Sequence, residues 1–173
     1  MKTKIFLLGL LFIGFSMYSQ EKKKEGKKET KKDSTEFKIC HKKDVYGVDF
    51  KPLELYVGEK LKKPKTPPEY LGENWRLKRH FIDNQFDFNR AKDMVFRVNI
   101  AFIVNCEGKA GNFILLSEHE DKELNMAKEL VETAKRLQFD WKPATKKKDN
   151  VDCWFVISIT VFNGEFTTIF WEY

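Results

Sequence analysis

Two runs of residues with a period of two constrain this chain more than anything else in it. In Val95 to Cys106, the residues Phe96, Val98, Ile100, Phe102, Val104 and Cys106 share one face. Arg97, Asn99 and Asn105 lie on the other, broken by Ala101 and Ile103. In Cys153 to Phe162, the residues Cys153, Phe155, Ile157, Ile159 and Val161 oppose Trp154, Ser158 and Thr160. Such alternation predicts strands of a sheet with one face firmly covered. Between them, Cys106 to Gly111 is a glycine-containing turn, and Phe113 to Leu116 returns as a second strand, which makes a β-hairpin. Leu124, Ala127, Leu130, Val131, Ala134 and Leu137 then recur at steps of three and four, with Lys128, Glu129, Glu132, Lys135 and Arg136 opposite. This is one apolar stripe of an amphipathic helix, with Asp121 as its expected N-cap and an end near Phe139, ahead of Pro143.

The order strand, turn, strand, helix, strand carries a resemblance. Val98 to Gly108, Val-Asn-Ile-Ala-Phe-Ile-Val-Asn-Cys-Glu-Gly, resembles the V-x-F-x-V-x-x-x-G opening of the TonB C-terminal domain. Trp141-Lys142-Pro143-Ala144 resembles the W-x-P-A that follows the helix there. The resemblance spans Tyr70 to Phe162, and it implies a further helix before the first strand, over Glu73 to Phe86. On that helix, Leu71, Trp75, Lys78, Ile82 and Phe86 are expected on one side, with Phe81 beside them. The implied fold is α+β: a small antiparallel sheet of three strands covered on one face by a helix, with another helix before the first strand.

The ends of the chain depart from that pattern. Asn163-Gly164 separates two β-prone runs and is a strong hairpin signal, so a fourth strand is expected to Tyr173. The helix exit Phe86-Asp87-Phe88-Asn89 lacks the Tyr-Pro of the family. At the other end, Lys2 and Lys4 precede the apolar run Ile5 to Phe15, which is short for a bilayer span and ends near small residues. Residues 1–19 therefore read as a signal peptide cleaved before Gln20, with an uncleaved signal anchor as the competing reading.

Residues 20–43 form a Lys/Glu-rich tail. Between Glu21 and Lys43 there are ten Lys against five acidic residues, too little apolar surface to offset ordering, so disorder is expected over at least Glu21 to Glu36. The chain of 173 residues carries a formal net charge of +6; the leader holds two of these charges and the tail five, which leaves residues 44–173 near −1. A basic tail on a near-neutral domain argues against a nucleic-acid module, which gathers Lys and Arg on its folded face. Residues 44–69, with Pro52, Pro64, Pro67 and Pro68, read as an irregular segment in which Leu53 to Val57 is a short strand or extended piece. Residues 70–173 are the domain.

No catalytic constellation or cofactor motif stands out. His41, His80 and His119 are scattered; His119 among Glu118, Glu120 and Asp121 is a conceivable metal site but reads better as a polar loop leading into a helix. Ser117 and Ser158 have no base close in sequence. Three cysteines in an exported chain predict one disulfide. With the third strand antiparallel to the first, the register 106–153, 104–155, 102–157 keeps apolar residues opposite one another and pairs Cys106 with Cys153. The alternative is that both are buried free thiols.

The resemblance implies a protein-binding module of the periplasm rather than an enzyme. It would grip a segment of an outer-membrane receptor by adding a strand to a sheet edge, in a system that passes on energy drawn from the inner membrane. The edge expected to receive the partner is the third strand, with Trp154, Val156, Ser158, Thr160 and Phe162 as the contact residues; if the fourth strand covers that edge permanently, recognition falls to another surface, such as the second strand around Phe113 to Leu116. The alternatives are a complete transducer held by an uncleaved N-terminus, and a structural envelope protein without energy coupling.

Overall fold

The computed structural model describes residues 37–41, 44–84, 88–137 and 141–172. The expected signal peptide, most of the Lys/Glu-rich tail, Phe86, Asp87 and the helix end near Phe139 lie outside the described residues. In chain order the elements are β1 (Tyr46–Gly47), α1 (Lys51–Val57), β2 (Glu69–Tyr70), α2 (Asn74–Asp83), a 3-10 turn (Phe88–Ala91), β3 (Val95–Val104) and β4 (Ala110–Leu115). There follow α3 (Asp121–Lys135), β5 (Trp141–Lys142), β6 (Ala144–Lys146), β7 (Asp149–Val151), β8 (Cys153–Phe162) and β9 (Glu165–Glu172). The fold is α+β, with one mixed five-stranded sheet and three helices.

The two alternating runs become the centre of that sheet. β3 and β8 are antiparallel over their whole length, from Val95 opposite Phe162 to Val104 opposite Cys153. Their register differs by two residues from the expected one. A shift of two keeps every side chain on its face, so the apolar pattern cannot tell the two registers apart. β4 flanks β3 on one side. On the other side of β8 lie the short parallel β1 and the long antiparallel β9.

The β8–β9 hairpin forms where Asn163-Gly164 predicts it. Both residues have positive φ, 48° and 81°, which is the type I′ geometry that suits the twist of paired strands. The ladder then skips a residue at Thr167, between the pairs Val161–Phe166 and Thr160–Thr168. Phe166, opposite Val161, is buried and meets Phe81 edge-on with ring centroids 6.1 Å apart. This contact places α2 on the face that carries Val161 and, across the ladder, Phe96.

That contact also corrects the reading of α2. The buried residues are Leu77 and Phe81, one turn apart, whereas Leu71, Trp75 and Ile82 are exposed. Both rows have helical spacing; the one that reaches Phe166 and the core is inside. His80 Nε2 lies 3.0 Å from Thr133 O and joins α2 to α3. On α3 the expected stripe is inside: Ala127, Leu130, Val131 and Ala134 are buried, together with Met126 and Thr133. Lys128, Glu129, Glu132 and Lys135 face outward. The cap is Glu120 rather than Asp121, without a side-chain hydrogen bond.

Residues 44–69 are more ordered than their prolines suggest. Leu53 to Val57 is helical, because Pro52 stands in the first turn of α1, where no backbone donor is needed. Gly58, at φ 81°, closes the helix with its N–H on Glu54 O at 2.9 Å. Val48, Leu53 and Leu61 join the main core. Val57 and Leu61 line a cleft with Trp154, which puts this segment against the second face of β8. Both faces of β8 are therefore covered, and this accounts for its nearly unbroken apolar run.

The two motifs that carry the family resemblance meet in space. Trp141 packs on Phe102 and Phe155 at centroid distances of 5.3 and 5.2 Å. Its N–H donates to Gly108 O at 3.1 Å. Gly108 has φ 80°, and a Cβ there would sit 2.1 Å from the Trp141 carbonyl oxygen, so only glycine fits.

Two predictions follow from this packing. Leu130→Ala lowers the free energy of unfolding by about 2–5 kcal/mol, and Lys128→Ala changes it by less than about 0.5 kcal/mol; equal urea midpoints would contradict the assigned helix face. Truncation after Asn163 lowers stability and uncovers the β8 edge, so the shortened chain self-associates. A monomer of unchanged stability in sedimentation and urea melts would contradict the role of β9.

Candidate functional site: an open sheet edge beside a disulfide latch

The expected contact residues occupy an interior strand. β8 is paired with β3 on one side and with β1 and β9 on the other, so it offers no edge. Val156 and Ser158 are fully buried, and Ser158 Oγ is 2.6 Å from Asn99 Oδ1 across the ladder. Trp154 and Thr160 are half-buried. Phe162 alone of the five is well exposed. β9 took the edge, and with it the surface expected for a partner.

The open edge on the far side of the sheet is β4. Among the described strands it has one partner, β3. Phe102 faces two residues of β4, Asn112 and Phe113, because the register shifts between Ala101 and Ile103. Asn112 takes φ 55°, a conformation asparagine tolerates, and Phe113 stacks on Phe102 at 5.0 Å. Phe113, Ile114 and Leu115 are half-buried, so the edge is apolar without being enclosed.

The β3–β4 loop beside this edge is organised by two buried polar residues. Asn105 Oδ1 accepts from the N–H groups of Glu107 and Lys109 at 3.0 and 2.9 Å. Its Nδ2 donates to Lys38 O at 2.9 Å. Asp152, with no exposed side-chain surface, accepts from three backbone N–H groups: Cys40 at 3.1 Å, Cys106 at 3.0 Å and His41 at 2.6 Å. His41 Nδ1 lies 3.5 Å from Asp152 Oδ2. A buried carboxylate is costly unless it is satisfied in this manner. It draws three distant stretches together: the strap at residues 37–41, the loop, and the residue before β8.

The disulfide joins Cys40 to Cys106, not Cys106 to Cys153. β3 ends at Val104, opposite Cys153, so Cys106 lies two residues further on, in the turn, where the strap reaches it. Cys153 is a buried free thiol among Ala144, Val151 and Tyr46. The bond spans 66 residues and contributes about 4 kcal/mol in the chain-entropy picture. Upstream of it, the Phe37 ring occupies the space a side chain at Gly111 of β4 would need. Of these residues, Asp152 had one sequence signal, a charge interrupting an apolar run; the strap had none beyond Cys40 itself.

Around His119 the structure pairs the imidazole with Ser117, two residues back in the sequence. Ser117 Oγ is 2.6 Å from His119 Nε2, and His119 Nδ1 is 3.5 Å from Glu123 Oε2. The same Oγ accepts the Asn99 N–H at 3.0 Å, so Ser117 clasps the end of β4 to β3. Phe96 packs edge-on to the imidazole. Among the described residues, the acidic neighbours of His119 do not converge on a three-ligand set. No family model, curated protein or solved structure matches the chain.

Two measurements test the latch. Asp152→Ala strands three N–H groups and lowers the unfolding free energy by about 3 kcal/mol or more; a variant as stable as the parent would remove the carboxylate from its assigned role. Burial pushes the Cys153 thiol up from 9.0 to about 12. Its contribution to stability is full below about pH 8.5, the unfolded thiol's range, and is lost as pH rises toward 12. The parent chain therefore loses more stability than Cys153→Ala between pH 9 and 12; parallel profiles would contradict this.

Proposed function

We propose that this chain is an exported, periplasmic protein-binding module of the TonB C-terminal type, which receives an extended partner segment on the β4 edge. The single observation that carries the reading is that edge: β4 pairs only with β3 among the described strands and its Phe113, Ile114 and Leu115 are half-buried, while β9 forms the opposite edge. Unpaired main-chain groups on such a strand form a template for another chain, and alternate side chains supply the selectivity. The family resemblance supports it through the order of elements and through the Gly108–Trp141 contact. The disulfide is compatible with an oxidising compartment, in keeping with the expected leader. The partner is an outer-membrane receptor segment, and the site residues move from β8 to Ala110–Leu115.

A photo-crosslinking residue tests the edge. Placed at Asn112, which is exposed on β4, it captures a receptor segment in the native envelope. Capture from Glu165 on β9, with none from Asn112, overturns the assignment.

A membrane-held transducer is the second reading, favoured by one observation. The Cys40–Cys106 bond links the junction of the tail to the end of the central strand, so tension on the tail bypasses residues 41–105. Mass spectrometry of the N-terminus in fractionated cells separates the two. A chain beginning at Gln20 in the soluble periplasmic fraction is expected; an intact Met1 in the inner membrane establishes the transducer instead. No helix among the described residues is long and apolar enough to cross a membrane.

A further inference from the structure

We propose that the reduced chain binds one zinc ion at Cys40, Cys106 and Asp152, with His41 as the fourth ligand, and that the Cys40–Cys106 disulfide is the closed form of this metal site. The two sulfur atoms and a carboxylate oxygen of Asp152 all lie within 4.8 Å of one another. In a tetrahedral site with metal–sulfur bonds of about 2.3 Å, ligand atoms stand about 3.8 Å apart. The sulfurs separate to that distance once the bond between them is cut, and the Cα–Cα distance of 6.1 Å leaves room for it without moving the backbone far. The Asp152 carboxylate already stands within 4.8 Å of both sulfurs, so completing the arrangement takes a small movement of that side chain.

The ligand set is chemically suited to zinc. Two thiolates, an imidazole and a carboxylate are the donor types that a d10 cation of borderline softness takes in closed, four-coordinate sites. Each Asp152 oxygen is held by backbone N–H groups, Oδ1 by Cys40 and Cys106 and Oδ2 by His41, so the carboxylate is oriented before any metal arrives. Oδ2 keeps a lone pair on the side of His41 Nδ1, 3.5 Å away. His41 is 56% exposed and stands outside the cluster of the other three ligand atoms, so its imidazole turns from Asp152 Oδ2 onto the ion when the metal binds. Cys40 is exposed, which admits both reductant and metal, whereas the third cysteine, Cys153, is buried and set apart.

The chemistry balances with a phosphine as reductant. The phosphine gives two electrons to the S–S bond and takes an oxygen from water, becoming a phosphine oxide, while the two protons of that water go to the two sulfurs. Zinc then displaces one proton from each thiol. In the reverse direction, the two thiolates pass two electrons to the disulfide of a thiol oxidoreductase, which takes two protons from water to become a dithiol; the Cys40–Cys106 bond forms and the ion is released. The strap at residues 37–41 is thus held to the domain in either state, by the metal before oxidation and by the covalent bond after it.

The experiment uses the full-length chain in a mild detergent, reduced with a phosphine, desalted without oxygen and titrated with zinc against a chromophoric chelator. One zinc per reduced chain is expected, with a cobalt derivative showing thiolate charge-transfer and tetrahedral bands. The oxidised chain should bind at least about tenfold more weakly, and so should reduced Cys106→Ser; reduced Cys153→Ala should match the parent. Where Cys106→Ser loses its circular-dichroism spectrum, His41→Ala, altered at an exposed position, serves in its place and should weaken binding at least about tenfold, the low end of what losing even an outer-shell partner costs; unchanged affinity in that variant overturns His41 as the fourth ligand. Equal affinity in the reduced and oxidised chains overturns the proposal. So does full affinity in a folded Cys106→Ser variant, or loss of the site in Cys153→Ala.

Discussion

The ten-residue pairing of β3 with β8 is the contact on which the remaining elements depend. Its partners are almost all apolar, from Phe96 opposite Val161 to Val104 opposite Cys153, and the strands are covered on both faces at their centre. Each other element completes this pair. α2 and α3 share one face with the aromatic group of Phe102, Phe113, Trp141 and Phe155. The segment from Val48 to Leu61 covers the other near Trp154, and β9 closes the exposed side of β8. Removing any one of them would leave part of a long apolar surface in water, at a cost of about 25 cal/mol per Å².

The same pair sets which strands lie at the edges of the sheet. A sheet has two edges, and an edge is either paired, covered or available. Here the hairpin at Asn163-Gly164 covers β8 and makes the C-terminal strand β9 one edge of the sheet. β4 is left with a mixed apolar edge, and its start lies beside the strap. The disulfide and Asp152 fix that strap where the Lys/Glu-rich tail joins the domain, so the geometry around β4 is covalently tied to the tail.

Much of the site's disposition follows from polar groups that sit inside. Asn105 and Asp152 are both buried, and between them they accept five backbone N–H groups around the β3–β4 loop and the strap. Each loses hydration on burial and regains it as hydrogen bonds, which makes the arrangement specific: a shifted loop would leave several groups unpaired at once. Cys153 stands in contrast, a small apolar side chain whose thiol is pushed further toward the protonated form by burial and donates to Trp154 O at 3.3 Å.

The sequence by itself determined the elements whose signal is local. Alternation marked β3 and β8, three- and four-residue steps marked the buried stripe of α3, and Asn163-Gly164 marked the final hairpin, because strand, helix and turn each leave a periodic or conformational signature in neighbouring residues. It also indicated that Gly108 and Trp141 belong to one pattern. What only the tertiary structure decided is every choice between locally equivalent arrangements. A two-residue shift of β8 against β3 preserves all faces, and that shift carried Cys106 beyond Cys153 and into reach of Cys40. Two apolar rows on α2 were equally periodic until Phe166 selected the one with Phe81. Pro52 was read as a breaker, yet a first helical turn accepts it. The sheet's edges are β4 and β9 rather than β8 because pairing is a contact between distant residues, and no residue in a strand records who its neighbour will be.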